Sequence, residues 1–305
     1  MLQWFPMKKI IFALFILAFS AGAFGKDYQA ADINACLSDF SSGLNNTLPN
    51  AATQQNVYSQ AWIGKLFPSA PPHFAVGIEA GVTKLDLSPL GTLADVFKVG
   101  SLPGNFVYPT ITANARIGGF VLPFDIGFSC MYMNLSKLKA VSDGFGIKFF
   151  NIGGDVRYAL LKGEGALPQI SLGVGYYYIG GKVSLDKDGV KAGIDCATHT
   201  LFGQVQVSKT FLFFTPFVGF RGIFSKSATD WSWAVTDARA QAAASYIGTE
   251  TSGSGSENSN WADRFIPQIY GGFGLKLSFF AINLSASYDF RHSIWGGNLS
   301  LRFQM

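Results

Sequence analysis

FAINLSASYDFRHSIWGGNLSLRFQM, residues 280–305, decides how this chain is to be read. Ile282, Leu284, Ala286, Tyr288 and Phe290 occupy every second position, with Asn283, Ser285, Ser287, Asp289 and Arg291 between them. After the short turn Arg291-His292-Ser293 the alternation resumes, with Trp295, Gly297, Leu299, Leu301 and Phe303 opposed to Gly296, Asn298, Ser300, Arg302 and Gln304. A period of two puts successive side chains on opposite faces of an extended strand. Each segment is therefore one strand with an oily face and a wet face.

Working backwards from this hairpin, the same pattern predicts ten strands, over 73–87, 108–121, 124–135, 145–161, 168–185, 195–209, 211–225, 263–278, 280–291 and 293–305. The connections divide into two sets. Val121 to Phe124, Leu161 to Pro168, Ser208 to Phe211 and Ser278 to Phe280 are tight, whereas 88–107, 136–144, 186–194 and 226–262 carry polar or Gly-rich insertions. An even strand number with tight turns at one end and long loops at the other is the layout of a bilayer-spanning barrel. The expected fold is an all-β membrane barrel of about ten antiparallel strands, up-and-down, with a short N-terminal helical segment.

Composition agrees. Of 305 residues only 14% are charged and 15% are aromatic, with 35 Gly and a net charge of +4. So few charges cannot clothe a water-facing surface of this size. A helical membrane protein is not indicated, because a spanning helix needs about 20 consecutive apolar residues. The charge is too small and too evenly spread for a nucleic-acid surface. A soluble barrel or sandwich would alternate likewise, with its apolar face turned inward. Aromatic residues at the strand ends favour the lipid reading: Phe124, Phe211, Phe279 and Phe280 suit a lower interfacial girdle, and Tyr132, Phe224 and Trp295 an upper one.

The N-terminus reads as a secretory signal peptide over 1–25: Lys8-Lys9, an apolar run from Ile10 to Phe19, then Ala23 and Gly25 at the cleavage positions. This implies export by the general secretory route to a bacterial outer membrane. Residues 26–72 form a separate segment before the barrel proper, 73–305. Within it Ile33, Leu37, Phe40 and Leu44 recur at helical spacing, and Val57, Ala61 and Leu66 hint at a second helix before Pro68. Such a segment either plugs the lumen or rests below it.

On the wet faces stand the acids Glu79, Asp125, Asp155 and Asp289 and the bases Arg116, Arg157, Arg221, Lys276, Arg291 and Arg302. Charges beside a membrane persist where they line an interior and find partners. They read either as a salt-bridged filling that stiffens a narrow barrel or as the lining of a small channel. In the 226–262 loop, Trp231, Trp233 and Trp261 are candidate binding residues, beside an expected helix over 237–245, Tyr246 and the Gly/Ser tract Ser252 to Ser256. The histidines are His73, His199 and His292, of which only the last two, with Asp289, lie where they would meet at the outer rim. Three cysteines, Cys36, Cys130 and Cys196, do not describe a disulfide framework, although Cys36 and Cys196 are a candidate pair. No metal or cofactor motif is present, and no catalytic constellation, so an enzyme is not the reading that the residues favour.

The signal peptide, the ten alternating segments and the closing strand Ile294 to Met305 together resemble bacterial outer-membrane β-barrel proteins as a broad class. That class commonly ends in an aromatic residue read by the barrel-assembly machinery; here Phe303 lies on the matching face and Met305 is last. The resemblance implies outer-membrane lipid and the assembly machinery as partners. A helical segment before a barrel also looks like the hatch of FadL-type transporters, which have more strands, and omptin proteases share the count of ten. The expected function is passage of small or hydrophobic solutes through a channel or transporter. The alternatives are a surface adhesin or interaction protein using the 226–262 loop, and, third, a rim hydrolase at His292 and Asp289.

Overall fold

The computed structural model describes residues 30–69, 71–86, 88–89, 105–134, 145–187, 190–238, 241–242, 250–261 and 265–305. The expected signal peptide, Tyr246 and most of the expected helix over 237–245 lie outside them. Among the described residues one long helix, α1 (Ala30–Thr53), precedes eleven strands. These are β1 (Phe74–Asp86), β2 (Asn105–Gly118), β3 (Phe124–Asn134), β4 (Phe145–Lys162), β5 (Gln169–Lys187), β6 (Val190–Ser208), β7 (Phe214–Val235), β8 (Ser252–Ser259), β9 (Phe265–Leu277), β10 (Phe280–Asp289) and β11 (Ile294–Gln304).

All neighbours are antiparallel, and β1 pairs β11 from Ala75↔Gln304 to Thr83↔Gly296. The sheet therefore closes as a ring of ten, β1 to β7 followed by β9, β10 and β11, with β8 as an extra strand on β7. Closure is what hydrocarbon demands, since an open edge leaves backbone groups unpaired at several kcal/mol each.

Which face is wet is settled strand by strand. Along β10, Phe280, Ile282, Leu284 and Tyr288 are exposed while Ala281, Asn283, Ser285, Ser287 and Asp289 are buried. The outer wall is apolar all round, with Ile78, Ile111, Phe128 and Val174 each more than half exposed. A soluble barrel has the opposite arrangement. The chain is a transmembrane barrel with its oily rows against acyl chains. Leu284→Arg, at mid-height on the outer face, is expected to cost about 2–4 kcal/mol of folding stability. Denaturant titration in lipid vesicles measures it; an unshifted midpoint would contradict this assignment of faces.

At one end the connections are tight, as at Ser278-Phe279, where Ser278 takes a φ of 57°. At the other end the wall is uneven. β10 and β11 have 10 and 11 residues, but β5 and β6 have 19 each and β7 has 22. About ten residues cross a bilayer, so β7 continues roughly 25 Å beyond it. This wing corrects two expectations. β7 does not stop at 225, and Ser252 to Ser256 is not part of a loop but of β8, paired from Ser227↔Ser259 to Ala234↔Ser252. Alternation hides here because both faces change character above the lipid. Outward positions become polar at Lys226, Asp230 and Ser232, while inward ones become aromatic at Trp231 and Trp233. The glycines of β8 have a steric cause: a Cβ on Gly253 would lie 2.5 Å from Trp233 Nε1, and one on Gly255 2.4 Å from Trp231 Cζ2.

The helix corrects a third. One helix runs through Asn45, Asn46 and Pro49 to Thr53, and residues 57–66 are not helical. The spacing of Val57 and Ala61 arises from the wall instead: Val57 packs on Phe217 and Tyr270, and the Ala61 N–H donates to Ser208 Oγ.

Candidate functional site: the lumen and its plug

Residues 30–63 occupy the barrel interior, and their contacts descend it in order. Trp233 Nε1–H donates to Asn34 Oδ1 (2.9 Å), and the Ser38 hydroxyl donates to the Glu257 carboxylate. Thr229 Oγ1 donates to Asn45 Oδ1 (2.7 Å) and Asn50 Nδ2 to Asp289 Oδ2 (3.0 Å). Below the helix, Asn56 Nδ2 donates to Asp155 Oδ1 (2.8 Å), Arg157 Nη1 to the Gln60 carbonyl (2.9 Å) and the Ile63 N–H to Asp125 Oδ2 (3.1 Å). The upper half of this plug has an apolar face: Phe40, Leu44 and Leu48 pack in one cluster with Leu85, Tyr108, Met131, Phe149 and Ile179. Its lower half is chiefly polar.

Arg221 holds the joint between the halves. Its Nη1 donates to the carbonyl of Thr53, the last residue of α1, at 2.7 Å, and its guanidinium lies 4.3 Å from the Tyr270 ring centroid. A helix C-terminus carries partial negative charge and unpaired carbonyls, so a buried arginine supplies both the hydrogen bond and the opposite charge.

Beneath it lies a network of buried ions. Arg116 reaches Asp125 (2.5 Å) and Asp155 (2.7 Å), Arg157 reaches Asp125 (2.8 Å), and Arg302 reaches Glu79 (2.5 Å) across the β1–β11 seam. The partners are essentially solvent-free: Arg116 is 1% and Asp125 0% exposed. Tyr58 of the plug sits among three of these cations, with Arg302, Arg116 and Arg157 at 3.8, 4.8 and 5.9 Å from its ring centroid. Cations over an aromatic face attract it, most strongly where water is excluded. One aromatic ring of the plug is thus surrounded by wall charges. A cavity of about 10 Å³ remains beside Asn56, Tyr58 and Arg221, room for one water.

Seven of the residues singled out from the sequence, Glu79, Arg116, Asp125, Asp155, Arg157, Arg221 and Arg302, converge in this network or beside it. Asp289 points inward at the upper end of β10, where it accepts from Asn50 and, at 2.8 Å, pairs with His292 Nδ1. Lys276 is half-buried at the lower end of β9. Arg291 departs from the inward row expected of it: it lies past the end of β10, where strand parity no longer aims a side chain, and its exposed guanidinium donates to the Phe265 carbonyl (3.1 Å).

Trp231 and Trp233 are not exposed loop residues. Both are buried against Ile33 and Leu37 of α1, while Trp261, just beyond β8, is exposed. The histidines do not meet: His199 Nδ1 contacts the Tyr176 hydroxyl (2.6 Å) on the outside of β6, whereas His292 is in the β10–β11 turn. Cys36 and Cys196 share the upper apolar cluster, both as free thiols, and Cys130 is a free thiol on the outer face.

The plug residues Asn50, Gln54, Asn56 and Tyr58 had no motif to reveal them. The signal lay opposite, in glycines on the wet rows: a Cβ on Gly296 would fall 1.8 Å from Gln54 Nε2, and one on Gly274 2.0 Å from Ser59 Oγ. Glycine there leaves room for a second layer of chain.

The class this arrangement defines is the plugged transmembrane β-barrel. Among solved structures, the barrel is similar to the outer membrane protease OmpT from Escherichia coli, at 9% identity and a TM-score of 0.45, over 76% of this chain and 97% of that one. It is also similar to the translocator domain of the autotransporter NalP from Neisseria meningitidis, at 7% identity, a TM-score of 0.38, and 94% and 99% coverage. The transport unit of the autotransporter AIDA-I from Escherichia coli gives 11%, 0.36, and 92% and 100%. No protein-family model matches the chain, and no curated protein sequence does.

Proposed function

We propose that the protein is a gated outer-membrane transporter for small solutes, closed at rest by residues 30–63. The outer-membrane reading, with the tight turns in the periplasm, is supported by the even ring, the turn asymmetry and the signal-like N-terminus. The gating reading is carried by the chemistry of the lower plug. Amides of the plug, at Asn50, Gln54 and Asn56, meet a polar wall; a neutral hydrogen bond such as that of Gln54 to Thr83 is worth a net 0.5–1.5 kcal/mol, roughly, and those to the Asp289 and Asp155 carboxylates about 1.5–3 kcal/mol, because water replaces them on opening. Gln54 Oε1, Gln55 Oε1 and Asn56 Oδ1 are buried without a protein partner in the closed state, so opening would bring them to water at no loss of a hydrogen bond. An apolar, interlocked interface would instead oppose displacement.

Osmotic swelling of proteoliposomes in a small sugar tests this. Arg221→Gln removes the charge at the end of α1, about 1–2 kcal/mol, and is expected to raise swelling roughly tenfold over the intact protein. Rates equal to protein-free vesicles for both would overturn the proposal.

A second reading is favoured by the wing. Its outward face carries exposed ion pairs, Lys182 with Asp195 (2.9 Å) and Lys191 with Asp186 (3.3 Å), clear of the membrane, as a surface-interaction protein would present.

A further inference from the structure

On the outer wall, where β4 to β7 begin to rise as the wing, lies an open groove of about 340 Å³. Tyr132, Phe150 and Tyr178 border it, and Lys148, Lys182, Asp195 and Asp230 stand along its wing side, all four exposed. These four charges form one cross-strand row. Lys148 on β4 is opposite Lys182 on β5, Lys182 opposite Asp195 on β6, and Asp195 opposite Asp230 on β7. Their order points to a ligand. Like charges directly opposed on neighbouring strands destabilise a sheet, and this row contains two such oppositions, one of each sign. An alternating order would have paired all four. Here Lys182 pairs with Asp195 at 2.9 Å, and among the described residues Lys148 and Asp230, at the two ends, have no ionic partner. The row also climbs. Lys148 is two residues beyond Phe150, the last outward aromatic of β4, whereas Asp230 is six beyond Phe224 on β7. The cationic end therefore borders the lipid and the anionic end reaches toward water.

We propose that this groove binds the phosphoethanolamine headgroup of a membrane lipid, with its phosphate between Lys148 and Lys182 and its ammonium between Asp195 and Asp230. The midpoints of the two like-charged pairs lie two strand spacings apart, about 10 Å. A phosphate and an ammonium joined by two methylenes span that distance when each end makes a charge-assisted hydrogen bond of about 2.8 Å. Binding exchanges one exposed ion pair, Lys182 with Asp195, for contacts of opposite sign at all four side chains, and so relieves both oppositions. The glycerol end of the lipid lies against Tyr132 and Phe150, and its acyl chains continue down the oily row over Ile152. A purely anionic headgroup leaves the two aspartates opposed, and a neutral one leaves the lysines unanswered. The site depends neither on which leaflet the wing adjoins nor on passage of solutes through the lumen.

Native mass spectrometry of the barrel in a neutral detergent reads the preference, with phosphatidylethanolamine and phosphatidylglycerol added at equal concentration. Both carry glycerol, acyl chains and a phosphate, and the first alone carries an ammonium. One phosphatidylethanolamine retained about fivefold more often than phosphatidylglycerol is the expected result, the upper range for an exposed ion pair. Asp195→Asn with Asp230→Asn is expected to turn the preference toward phosphatidylglycerol, and Lys148→Gln with Lys182→Gln to lower retention of both lipids. All four side chains are exposed, so the folded barrel tolerates these changes. Lys226→Gln, an exposed cation on the same wall outside the groove, should change neither. Equal retention of the two lipids by the intact protein would overturn the proposal, as would an unchanged preference in the aspartate variant. Soluble phosphoethanolamine separates the lipid from its headgroup alone. At equal concentration it is expected to leave the lipid in place, and full displacement would overturn the assignment to a lipid.

Discussion

Planar bilayers holding the chain with residues 30–63 excised are expected to show steady single-channel steps where the intact protein shows a closed baseline. The reason is the division of labour between wall and plug. In narrow barrels the inward side chains alone fill the lumen, but here the wet rows give up side chains at Gly127, Gly274 and Gly296, where a Cβ would strike the plug or its ion network. Removing a helix about 10 Å across leaves that space to water. The lining would then include Arg116, Arg157, Arg221 and Arg302 against Glu79, Asp125 and Asp155, so the steps should favour anions slightly. A correctly folded excised barrel without current would mean that the wall closes on itself, and that residues 30–63 are filling and not a gate.

Asp125→Ala is expected to be among the most damaging single substitutions in the molecule. Its carboxylate accepts from Arg116, from Arg157 at both oxygens and from the Ile63 N–H of the plug. Taking it away strands the Arg157 guanidinium in a solvent-free interior and leaves Arg116 with Asp155 alone. Breaking a buried ion pair from one side costs about 3–5 kcal/mol, because the remaining charge is stranded. Urea titration of vesicle-inserted protein should show the loss, together with faster proteolysis of the plug. The pair Asp125→Leu with Arg157→Met removes charge from both sides and is expected to recover much of the stability. If Asp125→Ala unfolds at the same midpoint as the intact protein, water reaches the network and the pairing is of little consequence.

The wall was largely readable from the sequence because lipid imposes a strict rule on it. Between the girdles every outward residue must be apolar, so β10 and β11 announce their faces residue by residue. Above the lipid the rule lapses. The extension of β7 past Ser225 and the whole of β8 went unread because water outside and aromatics inside blur the alternation there. The charged lining was visible as a set of residues on the wet rows, but its partners were not, since Asp125 joins residues on the two neighbouring strands and on the plug through a register that no local pattern encodes. Arg291 shows the limit of parity, two residues past a strand end. The plug was visible as helical spacing from Ile33 to Leu44. Its passage through Pro49 and its extended lower half depend on wall hydrogen bonds hundreds of positions away, such as Asn298 Nδ2 to the Gln54 carbonyl (2.7 Å).

The seam between β1 and β11 joins the first wall strand to the last, and Arg302, which crosses it to Glu79, also lies against Tyr58. β11 both shuts the cylinder and clamps the chain lying within, so sealing and filling depend on the same strand. A product truncated before Ile294 would not settle as a smaller cylinder; it would be a sheet with two unpaired margins and an unsecured core, a natural target for proteolysis.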